Sequence, residues 1–176
     1  MADPISDGEF ESFVRARTPA LLRSAYLLTG DEHLAEDLVQ SALARTHRSW
    51  RRLRCTGNAE AYTRRTMYHL QVSWWRRRRV AEVLTGEPVD NDPAAAGNSG
   101  AVALRLLLRD ALALLTARQR AVLILRYFED LSERQAAELL GISVGTVKSQ
   151  TSKALAKLRA RAPELGELDR TGHAGR

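Results

Sequence analysis

The residues with the clearest chemical potential lie near the carboxyl end, where short polar and basic side chains recur at helical spacing. The candidates are Ser143, Thr146, Lys148, Ser149, Gln150 and Lys153. Side chains of these types reach phosphate oxygens and base edges in the major groove of DNA, which admits one α-helix. The pattern therefore predicts a DNA-reading helix.

Residues 131–159, which must position these side chains, have the pattern of a helix-turn-helix. Ser132 and Gln135 have the spacing of a capping box that begins a first helix, and Gly141 ends it. Ser143 is then a ready N-cap for the second helix. The apolar stripe of that helix is predicted to contain Val144, Val147, Ala154, Leu155 and Leu158. The alternative is an amphipathic helical hairpin with a solvated basic face.

A second candidate site combines arginine with aromatic residues. Between residues 45 and 79 there are eleven arginines and one acidic residue, Glu60. Such a field attracts polyanions, and aromatic faces offer stacking platforms for unpaired bases. The aromatic residues of the segment are Trp50, Tyr62, Tyr68, Trp74 and Trp75, some of which must be core. The alternative is a charge run that is merely solvated.

Composition limits the other possibilities. The 176 residues, 44% of them apolar, can form two small domains, and the net charge is +6. Cys55 is the single cysteine, which excludes an internal disulfide and a multi-cysteine zinc site. The four histidines show no close pair with a third ligand, so we expect no metal and no cofactor. Without a membrane-length apolar run or a signal pattern, we expect a cytoplasmic protein with no membrane insertion.

Every strongly periodic segment is helical, so the predicted fold class is all-α. In the first half we expect a helix from Gly8 to Arg17, and a second that begins at Thr18 and Pro19 and ends at Gly30. Two further helices are expected from Asp31 to Ser49 and from Asn58 to the arginines at 76–79. The intervening residues 51–57 are predicted to form an exposed, mobile loop.

The domain organisation follows from a change in composition. Proline, glycine, asparagine and acidic residues interrupt the periodicity after residue 81. The predicted parts are a first domain at 8–80, an acidic linker at 81–101, a helix-turn-helix domain at 102–161 and a flexible tail at 162–176. In the second domain, Thr116 and Gln119 form another capping box.

An acidic patch lies on the third predicted helix. Glu36, Asp37 and Gln40 fall within one turn and project from an otherwise basic module. Such a patch suits a basic protein surface better than DNA. The alternative is an ordinary solubilising helix face.

Together, the arginine- and tryptophan-rich module, the acidic linker and the helix-turn-helix module resemble a sigma factor of bacterial RNA polymerase, of the extracytoplasmic-function (ECF) group of the sigma-70 family. The resemblance covers about residues 8–161. It is carried by residues 34–40, similar to the family's core-binding motif, by 61–79, similar to its promoter-melting and minus-ten helix, and by 145–159, similar to its minus-thirty-five helix. It implies a region 2-like and a region 4-like domain.

The resemblance also implies residue roles and partners. Glu36, Asp37 and Gln40 would dock on the clamp helices of the large polymerase subunit, and the flap of the other large subunit would be a second contact. The minus-ten and melting set would be Arg54, Thr56, Asn58, Tyr62, Arg65, His69 and Trp74, with phosphate contacts from Arg76, Arg77, Arg78 and Arg79. Other implied partners are double- and single-stranded promoter DNA and an anti-sigma factor. The chain would catalyse no reaction and would act at the nucleoid.

Two departures from the family pattern affect promoter choice. His69 stands where the family often has asparagine, and Gln150 where it usually has arginine. Because glutamine can pair bidentately with adenine whereas arginine favours guanine, we expect adenine at the base that Gln150 meets.

Two other functions fit part of the sequence. Response-regulator output domains share the carboxyl-terminal pattern, so a stand-alone helix-turn-helix regulator is the alternative, although it explains only the second half. An enzyme acting on nucleic acid could hold a metal at Glu36 and Asp37, but no second carboxylate pair or base is spaced to complete the site.

Overall fold

The computed structural model describes residues 4–85 and 100–161, with side chains described for residues 8–55, 57–74 and 106–160. All regular structure in these ranges is helical, which confirms the all-α class. The helices are α1 (Pro4–Thr29), α2 (Glu32–Arg48), α3 (Trp50–Thr56), α4 (Ala59–Thr85), α5 (Gly100–Ala113), α6 (Ala117–Leu123), α7 (Glu133–Leu140) and α8 (Val144–Arg161), with a π-helical segment at Ile124–Phe128. The chain divides into two compact units, Met1–Asn91 and Asp92–Arg176.

In the first unit, α1 and α4 both pack on α2 around a core that includes Leu28, Leu38 and Met67, all fully buried. Two buried polar contacts also join these helices. The hydroxyl oxygens of Thr46 and Thr63 lie 2.8 Å apart and join α2 to α4. Gln71 Nε2 donates to the Leu28 carbonyl at 2.9 Å, which ties α4 to the end of α1. These contacts fix the rotation of α4, and with it the side chains that α4 exposes.

The predicted break at Thr18 and Pro19 is wrong, because α1 runs through both residues without interruption. Proline removes one backbone donor from a helix interior and crowds the preceding turn. The Thr18 hydroxyl instead donates to the Val14 carbonyl at 2.7 Å and stays within the helix. Buried residues such as Leu21 lie after the proline and partly buried Phe13 lies before it, so tertiary packing holds both halves of α1 in line.

The predicted exposed loop at residues 51–57 is also wrong, because this segment is mostly helix α3. Trp50 and Leu53 lie three positions apart on α3, and both are buried. Helix α3 ends at Gly57, whose φ of 65° is left-handed and suits glycine. Helix α4 then starts at Ala59, as expected, but continues past Arg79 to Thr85.

The boundaries of the acidic segment differ from the prediction. Residues 81–85 belong to α4, and residues 100–101 belong to α5. Residues 86–99 and the predicted tail at 162–176 lie outside the described residues.

In the second unit, α6 packs on α8, and α7 packs on α8 and on the π-helical segment. The predicted capping boxes are both present, from Thr116 with Gln119 and from Ser132 with Gln135. Arg120 is buried, and its guanidinium donates to the Leu112 carbonyl in the last turn of α5 at 2.9 Å. Burial lowers the pKa of Arg120 to about 10, so the side chain is still charged at neutral pH.

Candidate nucleic-acid interfaces

The amino end of α8 is built as the sequence predicts. Gly141 ends α7 with a φ of 66°, and the Ser143 hydroxyl accepts from the Thr146 N–H at 3.1 Å. The Ser143 and Thr146 hydroxyls are themselves 2.9 Å apart. Ser143 and Thr146 therefore have a local role in starting α8, which they would keep while facing DNA.

One side of α8 is held in the core and the other is open. Val147 and Ala154 are fully buried, whereas Val144, predicted to belong to the same stripe, is 38% exposed. Val144 is the first residue of α8, so the opposing helices do not cover it. Packing through Val147 and Ala154 fixes which residues of α8 face outward.

The outward side of α8 carries the predicted recognition residues. With 3.6 residues per turn, the spacing places Thr146, Ser149, Gln150 and Lys153 on one stripe. Ser149 and Lys153 are exposed and Gln150 is half-buried, and within the described part of the chain none of the three has a side-chain hydrogen bond or ion pair. This stripe, which we call the α8 stripe, is available to a ligand.

Lys148 lies beside the α8 stripe and has a partner. Its Nζ is 3.6 Å from Glu133 Oε2 on α7, and both side chains are more than a third exposed. Nothing in the sequence indicates this pair, because the two residues belong to different helices. The carboxylate partly neutralises a cation that the sequence assigns to DNA.

A second exposed stripe lies at the start of α4. Asn58, Tyr62, Arg65 and His69 recur at intervals of four, three and four residues, which places them on one side of the helix. Asn58, Arg65 and His69 are exposed and Tyr62 is half-buried. This α4 stripe brings together an amide, a phenol ring, a guanidinium and an imidazole. These groups can stack on bases and hydrogen-bond to base edges or phosphate.

Several aromatic residues of the segment belong to the core. Trp50 and Tyr68 are buried, so they offer no stacking surface. Trp74, half-buried, continues the row of buried α4 residues Thr63, Met67 and Leu70, away from the α4 stripe. The geometry thus separates Trp74 from the other predicted minus-ten residues.

Arg54 is turned towards α1. Its Nη1 lies 2.9 Å from Glu9 Oε2, and the Arg54 side chain is only 30% exposed. Glu9 has no signal in the sequence, since the two residues are forty-five positions apart. The Thr56 side chain and those of Arg76, Arg77, Arg78 and Arg79 lie outside the described side chains, although α4 includes residues 76–79.

The acidic patch of α2 faces solvent. Glu36, Asp37 and Gln40 are all exposed, while Ala35, Leu38 and Val39 on the other side of the helix are buried. Asp31 begins α2 by accepting from the Leu34 N–H at 2.8 Å. The patch is therefore a fixed, outward-facing carboxylate cluster in the basic unit.

Within the described residues, no group of three or more His, Cys, Asp or Glu side chains could hold a metal ion. None of the described helices is both long enough and apolar enough to cross a membrane.

The fold defines an all-α protein with a helix-turn-helix unit and a second basic helical unit. Residues 13–80 match the family description sigma-70 region 2, and residues 105–158 match sigma-70, region 4. The RNA polymerase sigma-E factor of Streptomyces coelicolor is 42% identical over 171 residues, covering 92% of this chain and 96% of that protein. The ECF RNA polymerase sigma factor SigL of Mycobacterium tuberculosis is 35% identical over 155 residues, covering 83% and 84% of the two chains.

The chain belongs to the sigma-70 family and to its ECF group, and it is a promoter-directing RNA polymerase sigma factor. The match to sigma-70 region 2 covers the first half of the chain. A stand-alone helix-turn-helix regulator explains only the second half, so this match does not favour that alternative. Members of the family are regulatory and non-catalytic.

Solved structures agree with this assignment. The sigma factor RpoE of Bartonella quintana, solved with the anti-sigma factor NepR, has a TM-score of 0.70 at 27% identity, covering 86% of this chain and 95% of that chain. CnrH, solved with the cytosolic domain of CnrY, has a TM-score of 0.57 at 22% identity, covering 86% of this chain and 85% of that chain; this second likeness shows the fold alone.

Proposed function

We propose that this sigma factor docks on core RNA polymerase through Glu36, Asp37 and Gln40 and places its two units on two promoter elements. The observation that carries the proposal is the pair of exposed stripes, one on each unit, each fixed by buried residues on the opposite side of its helix. The carboxylate cluster on α2 is the outward feature least suited to DNA, and it is complementary to a basic protein surface.

The α8 stripe reads the minus-thirty-five element as duplex DNA. Lys148 and Lys153 contact phosphate, and Gln150 reads a base edge in the major groove. Ser149, one residue before Gln150, is exposed and suited to phosphate or a base edge. Adenine is the base that Gln150 pairs with bidentately.

The α4 stripe holds unpaired bases of the minus-ten element. Unstacking a base costs a few kcal/mol, and stacking on an aromatic side chain returns about 1–3 kcal/mol per base. A contact that is equal in the closed and open states shifts nothing, so only bases captured after opening promote melting. Tyr62 supplies the ring, and Asn58, Arg65 and His69 supply polar contacts.

The remaining minus-ten residues have supporting roles. The arginines at 76–79 neutralise phosphate beyond the α4 stripe, and Thr56 precedes the turn at Gly57 and Asn58. Trp74 supports α4 from its inner side.

An anti-sigma factor restrains the protein, and the flap of the other large polymerase subunit contacts the second unit. The similar sigma factor of Bartonella was solved in complex with the anti-sigma factor NepR, and this similarity supports an anti-sigma partner. Leu107 and Leu108 on α5 are each 39% exposed and offer an apolar surface for such a partner. The chain itself makes and breaks no bond, and it acts at the nucleoid.

Run-off transcription with core polymerase and a promoter library tests the proposal. The wild-type protein should yield transcripts from a defined subset of promoters. Glu36→Lys and Asp37→Lys should each weaken polymerase binding, measured by co-purification. Glu11→Lys makes the same charge change at an exposed position on α1 and should leave polymerase binding unchanged. Polymerase binding retained by both α2 variants would reject the docking role.

A further inference from the structure

We propose that four residues of the amino-terminal part of α1, Glu9, Phe10, Phe13 and Arg17, belong to the minus-ten site as a clamp that holds the turn at Gly57 and Asn58. This α1 clamp contacts α3 before the turn and α4 after it. The inference rests on the proposed minus-ten role of the α4 stripe, and it assigns Arg54 a positioning role in place of base capture.

The first contact is the ion pair between Glu9 and Arg54. Glu9 Oε2 and Arg54 Nη1 are 2.9 Å apart, and the Arg54 side chain is more buried than that of Glu9, at 30% against 50% exposed. A guanidinium held in this way is directed at α1. Its effect on DNA must then pass through α3, which Arg54 ties to α1.

The second contact is aromatic. Trp50, the first residue of α3, is buried against Phe10, with ring centroids 5.0 Å apart and an edge-to-face angle of 74°. The Phe13 ring lies 5.2 Å from the same indole. Such pairs contribute beyond the area they bury and have preferred geometry. They fix α3 against α1.

The third contact reaches α4. Arg17 Nη2 lies 3.1 Å from Glu60 Oε2, and the other oxygen of Glu60 lies 3.3 Å from Arg64 Nε. Glu60 is in the first turn of α4, and it is the single acidic residue among the arginines of this segment. The carboxylate therefore links α1 to the start of the helix that carries the α4 stripe.

The three contacts bracket the turn that carries Asn58. A turn that is already fixed loses less conformational freedom when it receives an unpaired base, so the open complex gains stability that the closed complex does not. The α1 clamp therefore favours promoter opening without itself contacting DNA.

A double-mutant cycle tests the inference with the full chain and core polymerase. The variants are Glu9→Gln, Arg54→Gln and the two together, and Glu11→Gln on the same helix is the control. Open complex is measured by the permanganate reactivity of thymines, and polymerase binding by co-purification. Because an exposed ion pair contributes up to about 1 kcal/mol, each single variant should lower the ratio of open to closed complex by up to about fivefold, with polymerase binding unchanged.

The cycle separates positioning from direct contact. If Arg54 acts through Glu9, the double variant should open promoters as well as Arg54→Gln alone. If the two losses multiply, Arg54 acts on DNA independently and the assignment is overturned. An open fraction for Glu9→Gln equal to that of wild type and of Glu11→Gln would also overturn it.

Hydrogen exchange in the free protein tests the clamp without polymerase. Amides of residues 53–58 should exchange up to about fivefold faster in Glu9→Gln than in wild type or Glu11→Gln, since the lost ion pair lowers the local opening free energy. Unchanged exchange would reject the clamp whatever the transcription result. A wild-type protein that fails to open any promoter, with faster exchange in Glu9→Gln, would reject the proposed function alone.

Discussion

Two substitutions on the α8 stripe should separate charge from sequence reading. Gln150 and Lys153 lie one turn apart on the exposed side of α8, and neither has a side-chain partner in the part of the chain that the structure describes. The residues that hold the helix, Val147 and Ala154, lie on the other side and are fully buried. Replacing either Gln150 or Lys153 by alanine should therefore change the free energy of unfolding by no more than about 0.5 kcal/mol.

The expected effects on DNA binding differ in kind. Loss of one phosphate contact lowers the slope of log K against log salt concentration by about 0.9. Between about 50 and 200 mM salt, wild type should therefore lose about threefold to fourfold more affinity than Lys153→Ala. Gln150→Ala should keep the slope and instead lose about 1–3 kcal/mol of preference for the correct base pair.

The assay is fluorescence anisotropy of labelled minus-thirty-five duplexes with the reconstituted holoenzyme, titrated at several salt concentrations. Each duplex is compared with one in which a single base pair is changed. Arg118→Ala removes the same charge from an exposed position on α6 and should change neither the slope nor the preference. An unchanged slope for Lys153→Ala, or a slope change for Gln150→Ala, would refute the assigned roles.

Four other substitutions test three separate parts of the structure. Glu133→Gln removes the carboxylate 3.6 Å from Lys148 Nζ and should tighten minus-thirty-five binding by up to about fivefold in the same titration; unchanged affinity would show that the pair does not restrain Lys148. Gly141→Ala forces a side chain into a φ of 66° and should lower the calorimetric stability of the second unit by about 1–2 kcal/mol, with no loss if the turn adapts. Thr63→Val should cost about 1 kcal/mol in urea unfolding, and adding Thr46→Val should recover part of it; fully additive losses would contradict their direct hydrogen bond.

Local signals in the sequence predicted the second unit well. Ser132, Gly141 and Ser143 cap their helices through contacts within four residues, so residue type and spacing suffice to find them. The α8 stripe follows from the same local periodicity. The same periodicity predicts that Gln150 lies on the outward side of α8, and its base preference is still a prediction.

Errors arose where distant contacts override local preference. Pro19 normally interrupts a helix, but packing on both sides keeps α1 continuous. The many arginines of residues 51–57 favour the prediction of an exposed loop, whereas the structure has helix α3 there. Helix α3 is held by Trp50 and Leu53, which are buried and pack with two phenylalanines of α1.

The partners of the predicted site residues were also hidden from the sequence. Glu9 reaches Arg54 and Glu133 reaches Lys148 from other helices, and nothing in the spacing of either pair reveals the contact. The sequence therefore predicts the types of groups at the site better than their arrangement.

The central claim is that this chain, bound to RNA polymerase, opens promoter DNA by holding unpaired bases on α4. The most direct test is permanganate footprinting of a promoter recovered from the library, with core polymerase alone, with the sigma factor alone and with both. Reactive thymines near the minus-ten element should appear only with both, and should weaken when Tyr62 is replaced by alanine. A duplex that stays unreactive with both, or opens equally with core polymerase alone, would contradict the account.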